Sequence, residues 1–448
     1  MKLFSRKIAV LLFGLGAFSS AAVFSGCNNS GTSSDGGSPS ADSGGSGTAK
    51  QLAIVSPHGR EIQAEFERLF KAKHPEVKFK WYDPGGTSDL LKLVMGQSGQ
   101  GGLKADLFFG GGGEAFAVLD AKGLLQSLPE TYGVPDKLNG VPLRGKDEKW
   151  VAAALSGFGI LVNQTYAKRD NLPIPQTWAD LGNPKLENRI ELADPRESGS
   201  AHTAYEVILQ TNGWDKGWQV LQSMAANSRR FVKSSSGLLA DVSSGEAVMA
   251  PAIDFYGRKT VAKAGNDDKG TPKLLYVEPK GQSVVTPDPI GLMKDAPHAE
   301  LAKEFVKLVL SPEAQKMWML EKGTDGGPQL KEFSDEKGLF RMAALPAAYK
   351  PIPKGSLIQT NPYTIVNQSP YDAEKAARRR QALDSLLGAV LIDNHTQLKA
   401  AWKKNPKMNY VPITEAELDK VAGQWDKASF VNETTDKWLK AARQKFST

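Results

Sequence analysis

Two stretches of this sequence carry residue types whose spacing builds an anion site. Ser198-Gly199-Ser200 precedes a helix with an apolar face. The first backbone N–H groups of a helix lack internal partners and sit at the positive end of its dipole. Two hydroxyls and a glycine at that point make a seat for a small oxyanion, whereas plain N-capping needs only one of the three. Gly110-Gly111-Gly112-Gly113 runs into Glu114. Such glycines take dihedrals closed to other residues and turn N–H groups towards an anion; a flexible turn is the structural alternative. Gly111, Gly112, Glu114, Ser198, Gly199 and Ser200 are therefore candidate ligand-binding residues.

Other chemistries find little support. Cys27 is the one cysteine, so neither a disulfide framework nor a cysteine-based zinc or iron–sulfur site is available. Histidines stand at 58, 74, 202, 298 and 395, with no HExxH, GxSxG or GxxxxGK[ST] motif. No catalytic residue is assigned. Arg378-Arg379-Arg380 reads as a solvated helix face, with phosphate binding as the lesser reading.

The elements that must hold these residues alternate between strand and helix. Strand patterns at 51–56, 77–82 and 105–109 are separated by helical patterns at 60–73 and 87–95, and a helix follows at 115–121. This is the βαβ repeat of a parallel sheet covered on both faces. Further strands are expected at 151–155, 159–163, 189–193 and 245–253, and a return segment runs from 274 to 293. Helices are expected at 177–181, 199–210, 299–310 and after Ser311-Pro312-Glu313, where a serine cap precedes proline at the first helical position. After about residue 345 the chain becomes Pro-, Tyr- and Asn-rich, then mainly helical from 372. Trp81, Tyr82 and Trp178 are read as core aromatics rather than cleft lining.

The N-terminus reads as an address. Met1–Lys7 is basic, Ile8–Phe18 is apolar but short for a membrane span, and Ser25-Gly26-Cys27 follows. That arrangement resembles a bacterial lipobox, which implies lipidation of Cys27 after removal of residues 1–26. Residues 28–50 are rich in Gly, Ser and Asp and read as a flexible tether. With 448 residues the body exceeds one ordinary core, so two or more domains are expected. The formal charge is +7 from 56 basic and 49 acidic residues. Without Lys2, Arg6 and Lys7 it drops to +4, which is no footprint for nucleic acid.

From about 51 to 345 the chain resembles the extracellular solute-binding proteins of ABC importers, and among them the ferric-iron-binding group. The resemblance rests on ordered stretches: Pro57-His58-Gly59, Ala105–Phe109, Pro175–Leu181, Asp194-Pro195 before Ser198-Gly199-Ser200, Gly245-Glu246-Ala247, Phe255-Tyr256, Pro279-Lys280-Gly281 and Leu310–Gln315. It implies a two-lobed α/β fold of periplasmic-binding-protein type II with a hinge. Lobe 1 would span 51–155 and 276–345 and lobe 2 156–275, followed by a mainly helical C-terminal extension at 346–448. His58 matches a position where some relatives have a metal-ligand histidine, and Tyr256 matches one tyrosine of a ferric-ligand pair. Phe255 replaces the other tyrosine, and Gly111 stands where some relatives have an acid. Both departures weaken an iron site. Asp254 is a further candidate ligand-binding residue, an oxygen donor, and Arg258 adds a cation nearby. The Ser198–Ser200 stretch matches the relatives' synergistic-anion position.

The expected protein is a non-enzymatic monomer, anchored through Cys27 at the periplasmic or outer cell surface. It would bind Fe3+ or a phosphate- or carboxylate-bearing solute and deliver it to a membrane permease, with no other cofactor. Ligand sensing for a membrane receptor, and less so a secreted hydrolase, stay open.

Overall fold

The computed structural model describes residues 50–448, apart from 84, 98–102, 129, 131 and 366–370. The lipobox with Cys27 and the tether lie outside the described residues.

Lobe 1 begins with β1 (Gln51–Val55), α1 (Arg60–Lys71), β2 (Lys78–Tyr82), α2 (Thr87–Gln97), β3 (Leu107–Phe109) and α3 (Gly113–Ala121). Short strands β4 (Leu125–Gln126), β5 (Lys137–Leu138) and β6 (Val141–Pro142) lead into β7 (Val151–Ser156). Strand β1 pairs in parallel with β2 and β3, as the βαβ pattern requires. Alternation of side chains fills both faces of the sheet. Ile54 and Phe109 join one apolar core with Phe66 and Phe305, while Val55 and Phe108 join another with Leu90 and Phe116.

At Gly157 the chain leaves the first sheet. Lobe 2 holds β8 (Phe158–Asn163), α4 (Gln164–Arg169), β9 (Ile190–Ala193), α5 (Gly199–Asn212), α6 (Trp214–Asn227), β10 (Ser228–Val232), α7 (Ser235–Ser244), β11 (Met249–Ile253), α8 (Asp254–Ala264) and β12 (Leu274–Val277). Its strand order is β10-β9-β11-β8-β12. The chain then crosses back through 278–285 into β13 (Thr286–Met293), α9 (Ala299–Val309), α10 (Pro312–Met317) and β14 (Met342–Ala343). These complete the first sheet in the order β14-β7-β13-β3-β1-β2, with β4 also on β13. The two crossings touch: Ser283 Oγ donates to Phe158 O at 2.7 Å and accepts from Phe158 N at 3.3 Å.

Strand β13 contains Pro287 and Pro289, and its register against β7 shifts between Asp288 and Pro289. Proline cannot donate to a ladder, and such irregularities re-aim side chains. Here the shift leaves the Asp288 carboxylate to accept from Gly112 N at 3.2 Å.

The segment after 345 divides between the lobes. Ala348, Tyr349 and Ile358 are buried in the lobe 1 core. The helices α11 (Ala373–Leu387), α12 (His395–Lys404), α13 (Glu415–Ala422) and α14 (Ala428–Ser447) pack on lobe 2. The mainly helical C-terminal extension thus forms, and the apolar residues of 346–365 that lead into it cover a lobe 1 surface. The arginine run also differs from its reading as a solvated face. Arg378 is exposed, but Arg379 and Arg380 are buried, because α5 and α3 supply the carboxylates of Glu206 and Glu114.

Candidate functional site

A cavity of about 1120 Å³ lies between the lobes. Among the described residues, six helices begin on its wall: α1 at Gly59, α2 at Thr87, α3 at Gly112, α5 at Ser198, α7 at Ser234 and α8 at Ile253. The cause is topological. In a parallel sheet each strand feeds the helix that follows it at one edge, so helix N-termini gather at the carboxyl ends of the strands. Their unpaired N–H groups and dipoles make that edge favourable for negative charge.

Local sequence shapes the wall. Gly110, Gly111 and Gly112 have φ of +91°, +94° and +83°, a region that side chains rarely enter. At Gly110 a Cβ would fall 2.8 Å from His58 Nε2. At the start of α5, Ser198 Oγ accepts from Ala201 N at 3.3 Å and lies 3.3 Å from Ser200 Oγ.

His58, Gly111, Gly112, Glu114, Ser198, Gly199, Ser200 and Tyr256 all line this cavity, so the structure brings the sequence candidates together, with one exception. Asp254 is fully buried and lies off the cavity wall. As the first residue of α8 it turns inward beneath the crossing segment, with Arg258 Nη1 at 3.3 Å. Burial pushes its carboxyl above the usual range, against the pull of Arg258 and Arg341. The expectation of Asp254 as a ligand residue is corrected on that ground.

Glu114 reaches the wall but is already committed. Its Oε1 accepts from Tyr371 Oη at 2.5 Å, and its Oε2 accepts from Arg380 Nη1 at 2.5 Å and from Thr203 Oγ1 at 3.4 Å. His202 Nε2 is 3.3 Å away, and His202 Nδ1 lies 2.6 Å from Asp384. Burial opposes ionisation of Glu114, yet His202, Arg380 and Tyr371 hold its carboxyl below the usual range. Glu114 therefore ties lobe 1 to lobe 2 and to α11, and is no free donor for a ligand.

His58 packs edge-on against Phe109 with ring centroids 4.6 Å apart. Burial lowers its pKa to about 4, although Asp288 at 3.8 Å pulls the other way. It is a neutral imidazole near pH 7. The Asp288 carboxylate is held low despite burial by Arg341 and the Gly112 N–H. Arg341 is fully buried; it pairs with Asp288 and lies 4.0 Å over the Phe255 ring. Burial, with Glu61 adding to it, pushes the Tyr256 phenol up to about 12. Among the described residues no three His, Cys, Asp or Glu side chains form a metal-holding group.

Sequence reasoning missed Asp288, Arg341 and Tyr371, and it read Arg380 as solvated, because their partners lie far along the chain. It also missed Ser234 and Ser236 on the cavity wall. The run Lys233-Ser234-Ser235-Ser236-Gly237, read as a helix start, would have found them.

Residues 104–336 match the family model described as bacterial extracellular solute-binding protein. The phosphoglycerate transport regulatory protein of Salmonella typhimurium is 26% identical over 305 residues, covering 64% of this chain and 69% of that protein. The periplasmic binding protein AfuA of Actinobacillus pleuropneumoniae, solved with exogenous fructose-6-phosphate bound, superposes with a TM-score of 0.57 at 20% identity, over 80% of this chain and 99% of its own. Iron-bound HitA of Pseudomonas aeruginosa gives 0.55 at 19% identity, over 76% and 99%. At these identities the two structures establish the two-lobed fold.

Proposed function

The chain belongs to the bacterial extracellular solute-binding proteins of ABC transporters, and from that premise we propose that it captures a small organic solute bearing a phosphate or phosphonate group and passes it to a membrane permease. One observation carries this reading: six helix N-termini open on one interlobe cavity. A volume of about 1120 Å³ leaves room for an organic body beside the charged group; ligand pockets for small organic molecules span roughly 300–1,000 Å³. The name of the Salmonella relative, a phosphoglycerate transport regulatory protein, agrees in chemical class. Lobe closure about the crossings at Gly157 and 278–285 would trap the solute. Lipidation of Cys27 would hold the body at the membrane, and Cys27→Ala would release it into the soluble fraction.

The test is direct. Residues 28–448, stripped of ligand, are titrated calorimetrically with 3-phosphoglycerate, inorganic phosphate, glycerate and ferric citrate. Saturable binding of a phosphorylated compound supports the reading. Binding of ferric citrate alone overturns it.

A second reading has one observation in its favour: the Salmonella relative is named a transport regulatory protein. The same cleft would then report ligand to a membrane sensor. Deletion that abolishes uptake supports delivery, whereas deletion that abolishes the gene response with uptake intact supports sensing.

A further inference from the structure

We propose that α11, with Tyr371 just before it, is a strap across the cleft: it is rooted in lobe 2, grips Glu114 of lobe 1, and holds the lobes at the spacing seen here before any solute arrives. The strap lies outside residues 104–336, the stretch matched by the family model. Its action does not depend on which solute the cleft takes.

Glu114 is the second residue of α3, directly after the glycine loop of lobe 1. Three bodies meet at its carboxylate. Lobe 2 brings Thr203 Oγ1 to 3.4 Å and His202 Nε2 to 3.3 Å, both from the start of α5. The C-terminal segment brings Tyr371 Oη and Arg380 Nη1, each to 2.5 Å. Asp384, one turn beyond Arg380, lies 2.6 Å from His202 Nδ1 and fixes that ring from its far side. Glu114, His202, Tyr371, Arg380 and Asp384 are all buried. Hydrogen bonds to charged groups are the strong ones, and in a buried network they reinforce one another.

The two ends of the strap belong to different lobes. Leu383, Leu386 and Leu387 of α11 are buried in the lobe 2 core, so α11 moves with lobe 2. Glu114 moves with lobe 1, where the next residues, Ala115 and Phe116, are buried beside Val55 and Phe108. Rotation about the crossings at Gly157 and 278–285 would therefore draw Glu114 away from Tyr371, Arg380 and His202 together. Glu114, Thr203 and Tyr371 also line the cavity, so the knot stands at the cleft itself. A second tie joins Lys259 of α8 to Glu61 of α1 at 2.8 Å and to Glu336 at 3.2 Å, without any residue of the C-terminal segment. The pairs Lys92–Glu197, Lys146–Glu374 and Lys263–Asp335 are more exposed and longer, at 3.7, 3.9 and 4.0 Å, and such pairs contribute little. A cleft strapped in this way admits solute through a minor open state, and nearly all of the unliganded protein already has the closed arrangement.

The test needs no solute. Residues 28–448 lack Cys27, the one cysteine, so Lys122→Cys in lobe 1 and Ser243→Cys in lobe 2, both exposed positions, carry the only two spin labels. Pulsed dipolar distances are recorded on the unliganded labelled chain with Lys259→Gln, which removes the second tie. Tyr371→Phe or Glu114→Gln/Arg380→Gln is then added, and every protein is melted. Lys259→Gln alone should give one distance, that of the spacing seen here. Tyr371→Phe strands no charge and should add a longer distance. Glu114→Gln/Arg380→Gln removes both charges together and should make the longer distance the major one. Each hydrogen bond lost to a charged group shifts the ratio of open to closed by about 10–100-fold. A longer distance already dominant with Lys259→Gln alone overturns the strap, and so does a single short distance in the double variant. If the double variant melts early, Tyr371→Phe decides, and an unchanged single distance there overturns the strap. Because no ligand enters the measurement, its failure leaves the solute reading of the cleft standing.

Discussion

Arg379 Nη2 lies 2.6 Å from Glu206 Oε1, and neither side chain reaches solvent. The pair joins α11 to the middle of α5, and Arg379 Nη1 reaches Glu415 on α13 at 2.6 Å as well. Removing one member of such a pair leaves the other charge buried without compensation. Arg379→Met should therefore cost about 3–5 kcal/mol in urea unfolding. Glu206→Gln/Arg379→Met should cost far less, since both charges leave together. A loss below about 1 kcal/mol in the single variant would show that Glu206 finds water or another partner, outside the range for a broken buried pair.

The elements at the cleft were legible because local patterns dictate them. Ile62, Phe66, Leu69 and Phe70 recur at helical spacing and all are buried in α1. Glycine runs and Ser198-Gly199-Ser200 mark helix starts by backbone chemistry alone. The deeper layer was not legible. Arg341 meets Asp288 across 53 residues, Arg379 meets Glu206 across 173, and Arg380 meets Glu114 across 266. A charge on a helix reads as solvated unless its partner is known, and these partners arrive only through the tertiary fold. Asp254 failed for the complementary reason: its sequence position was right for the cleft, but the first turn of α8 points it beneath the floor.

His58 makes the fold sensitive to mild acid. Its pKa is about 4 in the folded state and near 6.5 when unfolded. Between those values the unfolded chain takes up a proton that the folded chain refuses, so stability falls as pH drops from 6.5 towards 4, by roughly 3 kcal/mol in all. Above 6.5 this contribution is constant. The depressed carboxyls of Glu114 and Asp288 hold their contributions down to about pH 5 and lose them as pH falls further, through the unfolded carboxyl values near 4. Urea midpoints at pH 7.5, 6 and 5 should fall steadily in the wild type. His58→Gln should flatten the decline, leaving the smaller slope of His395, whose pKa burial also lowers. Equal slopes in the two proteins would place the acid sensitivity elsewhere.

Gly110 is where the cleft floor tolerates least. Alanine there would adopt φ +91° and set its methyl 2.8 Å from His58 Nε2. Strain and overpacking together should cost about 2–4 kcal/mol. Gly112, also at positive φ, has open space where its Cβ would stand, so Gly112→Ala should cost only the strain, about 1–3 kcal/mol. Thermal melts of the two variants order them; a reversed order contradicts the packing of His58.

Truncation after Ile365 should not leave a soluble two-lobed body. Leu383, Leu386, Leu387, Val390, Leu398 and Trp402 are buried in one core with lobe 2 residues such as Trp218 and Leu221. Each such side chain contributes about 1.5–3 kcal/mol when buried. Without them lobe 2 presents an apolar face, and the truncated chain should aggregate or bind a hydrophobic dye. A monomeric, dye-negative product would show that lobe 2 closes its core alone.

Ferric iron provides the sharpest contrast with an organic oxyanion. Iron ligation by Tyr256 needs a phenolate, a hard donor suited to Fe(III). Here the phenol is held protonated, its pKa pushed up to about 12 by burial and nearby carboxylates. The adjacent ring belongs to Phe255, which offers no oxygen and lies under the Arg341 guanidinium at 4.0 Å. That cation opposes a 3+ charge at the same place. Glu114, the acid of the glycine loop, is bound to Tyr371 and Arg380. Titration with ferric citrate at pH 7 should therefore give no saturable visible charge-transfer band. Phe255→Tyr should not create one, because the Arg341 guanidinium stacked on that ring opposes a 3+ charge beside it. A saturable wild-type band that disappears in Tyr256→Phe would make the cleft an iron site with a single tyrosine, and the oxyanion reading would fall with it.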